Sequence, residues 1–458
     1  MEKQVLKSEI IQQEEARKFG KKLFKICWPL FIELALTMLL GSVDTFMLGR
    51  YSDNAVAAVG VVNQVMNMVL LVFQIITTGT TIICAQYIGA KLKEHELFKI
   101  IGSSISLNFV LGIIFSIAMV VFATPILRVL NLDSDLMALG KSYMVIVGSF
   151  SVIQAMNLTF SAVIRSYGNT KMTMIATLVM NMFNIIGNYT LIYGKLGAPE
   201  LGITGAAIST SVSKVIGTII LVVYLFKVLL KNFKFKYIIT LYKAELKKIL
   251  TVGLPSAGES IAYNSAKLMC TVILTHISIV ALTTNNYINN IAMYIYIFST
   301  SLGQGTAIII GQLVGEGRED EAYKLCFSSL KKAFIASTTL AIIVALLGKQ
   351  IFGIFTDNAD IIELGSTILF INIILETGRT FNVVVINCLR AAGDVRFPVY
   401  IGIVSMWVIG VGVSYVLAIP CKLGFPGMWL ALAMDEWTRG IIMCFRWRSK
   451  KWHGRALV

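Results

Sequence analysis

The chain has 458 residues, of which 56% are hydrophobic and only 14% charged, with 40 Lys and Arg against 25 Asp and Glu. Soluble domains average about 25% charged residues. The mean hydropathy of +0.77 and charge-free runs over 54–90, 100–127, 142–164, 172–194 and 268–315 exclude a soluble globular protein.

In chain order, the N-terminal arm over 1–22 is polar and mixed in charge (Lys3, Lys7, Glu14, Glu15, Arg17, Lys18). It does not read as a cleavable signal peptide. About 20 apolar residues cross a bilayer core, and six spans are expected to begin near Leu23, Ala55, Lys99, Asp135, Met172 and Leu201, an N-lobe over 23–229. A basic linker follows at 230–246. Six more spans begin near Lys247, Ala281, Ala322, Ile361, Pro398 and Phe425, a C-lobe over 247–448, before a tail at 449–458. The run 268–315 must hold parts of two spans, and a short polar turn is expected within it at Thr283-Thr284-Asn285-Asn286. The seven cysteines show no C-x-x-C spacing and sit mostly in apolar runs, as small packing residues.

The net charge of +15 suggests nucleic acid until its distribution is followed. Thirty of the forty cations fall in seven connections: the N-terminal arm, the turns near Lys91, Arg165, Arg318 and Arg390, the linker, and the tail. The alternate connections hold one each, at Arg50, Arg128, Lys195, Lys349 and Lys422. Basic residues are retained on the cytoplasmic side, which places both termini and the linker there, requires an even number of spans, and makes nucleic-acid binding unnecessary.

The chain also repeats itself. At an offset of 225–226 residues Pro29-x-x-x-Glu33 falls on Pro255-x-x-x-Glu259, and Gln86-Tyr87-Ile88-Gly89 on Gln312-Leu313-Val314-Gly315. At the same offset Arg165-x-x-Gly168-Asn169 falls on Arg390-x-x-Gly393-Asp394, and Leu201-Gly202-Ile203 on Pro426-Gly427-Met428. Coincidences at one offset and in the same span order mark an internal repeat. With six spans each, the copies enter the membrane in the same sense, related by an axis along its normal. The fold expected is an all-α membrane protein with twelve transmembrane helices in two pseudo-symmetric six-helix lobes.

These motifs, with Asp44 in span 1 and Gly202…Gly205-Ala206-Ala207 opening span 6, resemble the multidrug and toxic compound extrusion (MATE) family over about residues 24–448. The resemblance implies a central cavity and export of cationic, often aromatic compounds in exchange for inward Na⁺ or H⁺. The protein is then an antiporter of the cell membrane, a monomer whose partners are small organic substrates and the bilayer. Its only cofactor would be the coupling ion.

A carboxylate in hydrocarbon costs about 2.5–3.5 kcal/mol on insertion scales, so each calls for a partner or a task. Asp44 lies in the outer half of span 1, and Asn184 and Asn188, four apart, share a face of span 5. One anionic and two amide oxygens suit a hard cation such as Na⁺, and the resemblance points to the same site. Some members carry Asp where this chain has Asn188, so this site has one titratable group fewer. The alternative is that the Asn pair only joins helices. Glu259 in span 7 resembles a C-lobe acid that the family implicates in cation coupling or drug binding, and Glu376 in span 10 resembles the second C-lobe acid. Competing roles are ion pairs of Glu259 with Lys267 and of Glu376 with Arg379. Glu33 is placed to snorkel or to pair with a linker lysine, and Asp435 with Arg439 to form an intrahelical pair.

Pro29 and Pro255 occupy matching places in spans 1 and 7, where each removes a backbone hydrogen bond and offers a hinge or a fixed kink. Gln64, Tyr263, Asn289 and Met293 stand for a substrate cavity, within a wider set of aromatic, Met and amide side chains in spans 2, 7 and 8. At helical spacing such residues also serve as packing. No Walker A sequence, H-E-x-x-H or G-x-S-x-G occurs, and His95, His276 and His453 are too dispersed for a metal site, so neither ATP hydrolysis nor an enzyme has residues to rest on. Two alternatives stay open: a flippase for a lipid-linked saccharide, whose cavity would need several basic residues for pyrophosphate, and a membrane protein that transports nothing.

Overall fold

The computed structural model describes residues 2–458, with side chains from Phe19 onward, so the side chains of the N-terminal arm up to Lys18 lie outside the described residues. Among the described residues the regular structure is entirely helical. The first half of the chain runs α1 (Glu2–Gly49), α2 (Asp53–Gly89), α3 (Glu94–Val121), α4 (Ala123–Val129), α5 (Ser134–Ser149), α6 (Ser151–Ser166), α7 (Thr170–Tyr193) and α8 (Gly202–Tyr224). A π-helical turn, Leu225–Leu229, and the short α9 (Lys236–Ile239) lead to α10 (Lys243–Thr275). Then come α11 (Ile279–Gly315), α12 (Glu319–Leu346), α13 (Gly348–Phe355), α14 (Ala359–Ala391), α15 (Arg396–Ser405), the π-helical Met406–Val413, α16 (Ser414–Ala418) and α17 (Gly424–Arg448).

Twelve spans result when α5 with α6 counts as one and α15 to α16 as another. The pair α5–α6 bends by 45°. There the Val152 N–H, freed from the helical ladder, donates to Ser116 Oγ of α3 at 3.1 Å. A side chain from a neighbouring span thus satisfies a backbone group that hydrocarbon cannot. Nine helices among the described residues are singly long and apolar enough to cross a membrane. The spans α10, which carries Glu259 and Lys267, and α17, which carries Asp435, Glu436 and Arg439, are not among these nine. On α3, Phe109, Ile114, Ile117 and Val121 are 46%, 53%, 57% and 61% exposed, as suits side chains that face lipid rather than water.

One expectation is corrected. The break in the long charge-free run lies between α10 and α11, at 276–278, and the 283–286 segment is helical, inside α11. The Ser278 hydroxyl accepts from the Ala281 N–H at 3.0 Å and starts the helix. Polar Asn residues further on then have a continuous helix to decorate.

The chain divides into two compact units. One contains the chain up to Phe31, Gly89–Lys91 and Gly258–Val458; the other contains Ile32–Ile88 and Leu92–Ala257. The divisions inside α1 and α10 fall two residues after Pro29 and two after Pro255. Each unit explains its own membership by close backbone packing. In the second, a Cβ on Gly79 would come within 2.4 Å of the Ile249 carbonyl oxygen, and one on Gly253 within 2.0 Å of that of Ile75. Helices α2 and α10 therefore touch backbone to backbone, as small residues permit in lipid. In the first, a Cβ on Gly305 of α11 would come within 2.3 Å of Cys27 Sγ of α1. Gly79 and Gly305, like Cys27 and Gly253, stand 226 residues apart, so the repeat extends to its helix contacts. Gly253→Ala is expected to force α10 away from α2 and to cost about 1–3 kcal/mol, the range for overpacking. Thermal unfolding of purified protein in detergent checks this, and an unchanged midpoint would refute it.

Candidate functional site

The intramembrane charges of each unit gather into polar clusters. In the second unit Asp44 comes from α1 and Asn184 and Asn188 from α7. Asn188 Nδ2 donates to Asp44 Oδ1 at 2.6 Å and lies 3.1 Å from Asn184 Oδ1. Asn184 Nδ2 donates to Thr210 Oγ1 of α8 at 3.2 Å, and Ser209 Oγ donates to the Asn184 carbonyl oxygen at 2.8 Å. One turn back, Asn181 Nδ2 donates to the Leu36 carbonyl oxygen at 2.7 Å. The α7 face thus aims three amides at α1 and α8, as i, i+3 and i+7 spacing requires. Asn188 Oδ1 is buried with no partner. A carboxylate, a free amide oxygen and a second amide oxygen beside it are the donor set that Na⁺ would take, so the residues present fit that ion. Lys214 of α8 lies within electrostatic reach of Asp44. The cost of placing a lysine in a span was the signal in the sequence that Lys214 faces an acid.

The acids that follow the two prolines are both ion-paired. Glu33 pairs with Arg165, at the end of α6, and accepts from Thr173 Oγ1 at 2.7 Å. Glu259 pairs with Arg390, at the end of α14, and packs against Gly402. Glu33 and Glu259 are repeat mates, as are Arg165 and Arg390, so one brace is built twice. Reading the sequence finds both arginines only as members of a repeated turn motif and does not assign them to these acids, because both sit in turns that look merely cytoplasmic. Their common offset from the two glutamates was the available clue. Lys267 makes no ion pair with Glu259 among the described residues.

A denser cluster occupies the first unit. Arg379 of α14 holds Glu376 at 2.6 Å and Glu436 of α17 at 3.4 Å. Arg439 holds Asp435 at 2.6 Å and Glu436 at 3.1 Å. Asn382 Nδ2 donates to Glu436 Oε2 at 2.8 Å, and Ser405 Oγ donates to Asp435 Oδ1 at 2.5 Å. Arg379 also lies over the Tyr296 ring, 5.6 Å from its centroid. Beside this network opens a pocket walled by α10, α11, α14 and α17 and by the π-helical stretch after α15. Tyr263 and Asn289 line it. Gln64, in the second unit, is exposed, and Met293 is 47% exposed and not part of this wall. Tyr287 and Phe73 are packing residues, against Phe352 and Phe355 and against Phe115.

The sequence model of the MatE family matches residues 29–190 and again 255–416, two copies 226 residues apart. "Uncharacterized transporter YisQ" of Bacillus subtilis (strain 168) is 41% identical over the whole of both chains. "Probable multidrug resistance protein NorM" of Thermotoga maritima is 28% identical over 98% of this chain and 96% of its own. A solved MATE in the bent conformation superposes with a TM-score of 0.86 at 20% identity, over 94% of this chain and 95% of that one. Two MatE copies, a relative of equal length and twelve spans in two lobes leave one assignment. The chain is a member of the MatE family of multi-pass membrane transporters, and not an enzyme.

Proposed function

We propose that the protein exports organic, cationic compounds from the cell as an antiporter, driven by Na⁺ or H⁺ moving inward. The observation that carries this is the Asp44 carboxylate inside a membrane helix, held by Asn188 beside a buried amide oxygen that nothing else uses. Asn184 completes that coupling site, and Glu259 and Glu376 serve as coupling acids of the other unit, released from Arg390 and Arg379 in turn. The relatives named for multidrug resistance support efflux as the direction of transport. Retention of basic loops supports a plasma-membrane protein with both termini cytoplasmic. It works as a monomer.

Pro29 and Pro255 act as hinges within α1 and α10. The divisions between units just after each proline support this, as does a MATE of this fold described in a bent conformation. The lipid-linked saccharide flippase is the second reading, favoured by Lys267, Arg379 and Arg439 in the pocket wall. It is the weaker one, because acids already hold both arginines.

The test is uptake of ethidium into proteoliposomes under an imposed Na⁺ or pH gradient. Flux that stops when the gradient is collapsed with monensin or a protonophore supports the antiporter. Flux that ignores both ionophores would sink it.

A further inference from the structure

By composition the linker between the repeats is a basic surface loop: 227–248 carries seven lysines and one acid, Glu245. Its contacts run instead along one stripe of α3. Asn232 Nδ2 donates to Glu94 Oε2 at 3.3 Å, and the rings of Phe233 and Tyr237 lie 5.4 Å and 5.6 Å from that of Phe98. The Tyr237 carbonyl oxygen leaves no room for a Cβ on Gly102, and Ser106 Oγ donates to the Ile238 carbonyl oxygen. The chain then turns back, and Lys99 lies over the Tyr242 ring, 6.0 Å from its centroid. Residues 94, 98, 102 and 106 are four apart and share a helix face. The linker descends that face by about three turns and returns.

The descent enters the bilayer. Lys99 is the last charged residue before the charge-free stretch of α3, and Ser106 stands about 10 Å further along the helix axis. A carbonyl oxygen at that depth finds little water, and the Ser106 hydroxyl answers the one at Ile238. Phe235, Ile239 and Leu241 are nevertheless 70%, 72% and 65% exposed. Phe235 and Ile239 share a face, since the Ile239 N–H donates to the Phe235 carbonyl oxygen at 3.4 Å. Such an apolar edge is costly in water and favourable at the boundary of headgroups and acyl chains. Beside it Lys231, Lys234 and Lys236 are exposed, and none of the three is in an ion pair among the described residues. Apolar side chains with free lysines next to them, at the depth of the phosphates, match a lipid whose headgroup is anionic. A protein partner would have to reach this edge through the headgroups.

We propose that residues 231–242 form an interfacial anchor for anionic phospholipid. Phe235, Ile239 and Leu241 sit among the upper acyl chains, and Lys231, Lys234 and Lys236 hold headgroup phosphates. The anchor follows from the chain's being a membrane protein and is independent of what is transported and what drives it.

The test puts a tryptophan on the anchor of the full chain, Ile239→Trp, in vesicles of phosphatidylcholine and phosphatidylglycerol in equal parts. The signal is the emission added to that of the six native tryptophans. Bromine on the acyl chains of one lipid or the other quenches this increment according to how often that lipid is the neighbour. Phosphatidylglycerol is expected to show a local binding constant at least about fivefold above that of phosphatidylcholine. Lys231→Gln, Lys234→Gln and Lys236→Gln together should bring the ratio to about one. Lys91→Gln, Lys324→Gln and Lys331→Gln together, at three exposed lysines of the other unit, should leave it within about twofold of its starting value. Leu241→Trp reads the same ratio from a second position. Quenching of the increment by acrylamide and not by bromolipid would place the segment in water, and quenching by neither would place it under a second copy of the chain. Either result overturns the proposal. So does equal quenching by the two lipids, a preference that survives the triple change in the linker, or one lost equally with the control triple.

Discussion

Asp44→Asn is expected to reduce efflux to background while the protein stays folded and inserted. The substitution keeps size and shape, and its amide oxygen can still accept from Asn188 Nδ2, as Asp44 Oδ1 does at 2.6 Å. One neutral hydrogen bond in place of a charge-assisted one changes stability by about 1 kcal/mol. The negative charge, however, is gone, and with it the attraction that lets a cation compete for the amide oxygens of Asn184 and Asn188. Lys214 would then remain within reach with no acid to answer it, which disfavours a second cation further. The measurement is ethidium efflux from cells producing matched amounts of each form, with size-exclusion profiles as the folding control. Wild-type efflux by a monodisperse Asp44→Asn protein would remove this cluster from the mechanism.

The second large effect concerns the repeated brace. Breaking a buried ion pair by removing one partner costs about 3–5 kcal/mol, because the other charge is left unmatched. The side chains of Arg165 and Arg390 are 27% and 18% exposed, against 7% and 13% for Glu33 and Glu259, so the lower end of that range applies. Arg390→Gln is thus expected to lower stability by about 3 kcal/mol and Glu259→Gln by somewhat less. The double variant should recover part of the sum, with a coupling of about 1–3 kcal/mol. Urea-dependent proteolysis in detergent gives the four corners of the cycle. Strict additivity would mean that the pair holds nothing together. The same Glu259→Gln protein should shift the pH dependence of transport, since it removes the acid that opening of the brace would expose. A profile superimposable on wild type would leave Glu259 as a structural brace only.

Why such a brace escapes a linear reading is a matter of distance along the chain. Arg165 and Arg390 stand 132 and 131 residues from their glutamates. A carboxylate in hydrocarbon must find a partner, but several cations satisfied that requirement on paper. Lys267 stands two turns from Glu259 on the same helix, yet lines a pocket instead. The i, i+3 and i, i+4 pairs were legible, because helical geometry alone brings Glu376 to Arg379 and Asp435 to Arg439. That Glu436 would bind both arginines and knit α14 to α17 was not, since no local periodicity couples two spans.

By itself the sequence determined whatever is one-dimensional or set by the solvent. Hydrocarbon demands apolar spans of fixed minimum length, the insertion machinery sorts basic loops to one side, and a duplicated half keeps its offset wherever the chain goes. Twelve spans, two related lobes, the family and the few acids needing an explanation all follow from those rules. Tertiary structure decided who meets whom: which cation each acid takes, which amide oxygens in α7 are left over, and that Lys267 lines a pocket rather than pairing with Glu259. Those outcomes depend on how helices cross at Gly79, Gly253 and Gly305, where the absence of a side chain sets backbone distance. Electrostatic partners inside a membrane are then chosen among groups already brought close, because an unmatched charge there costs too much to wait for a distant one.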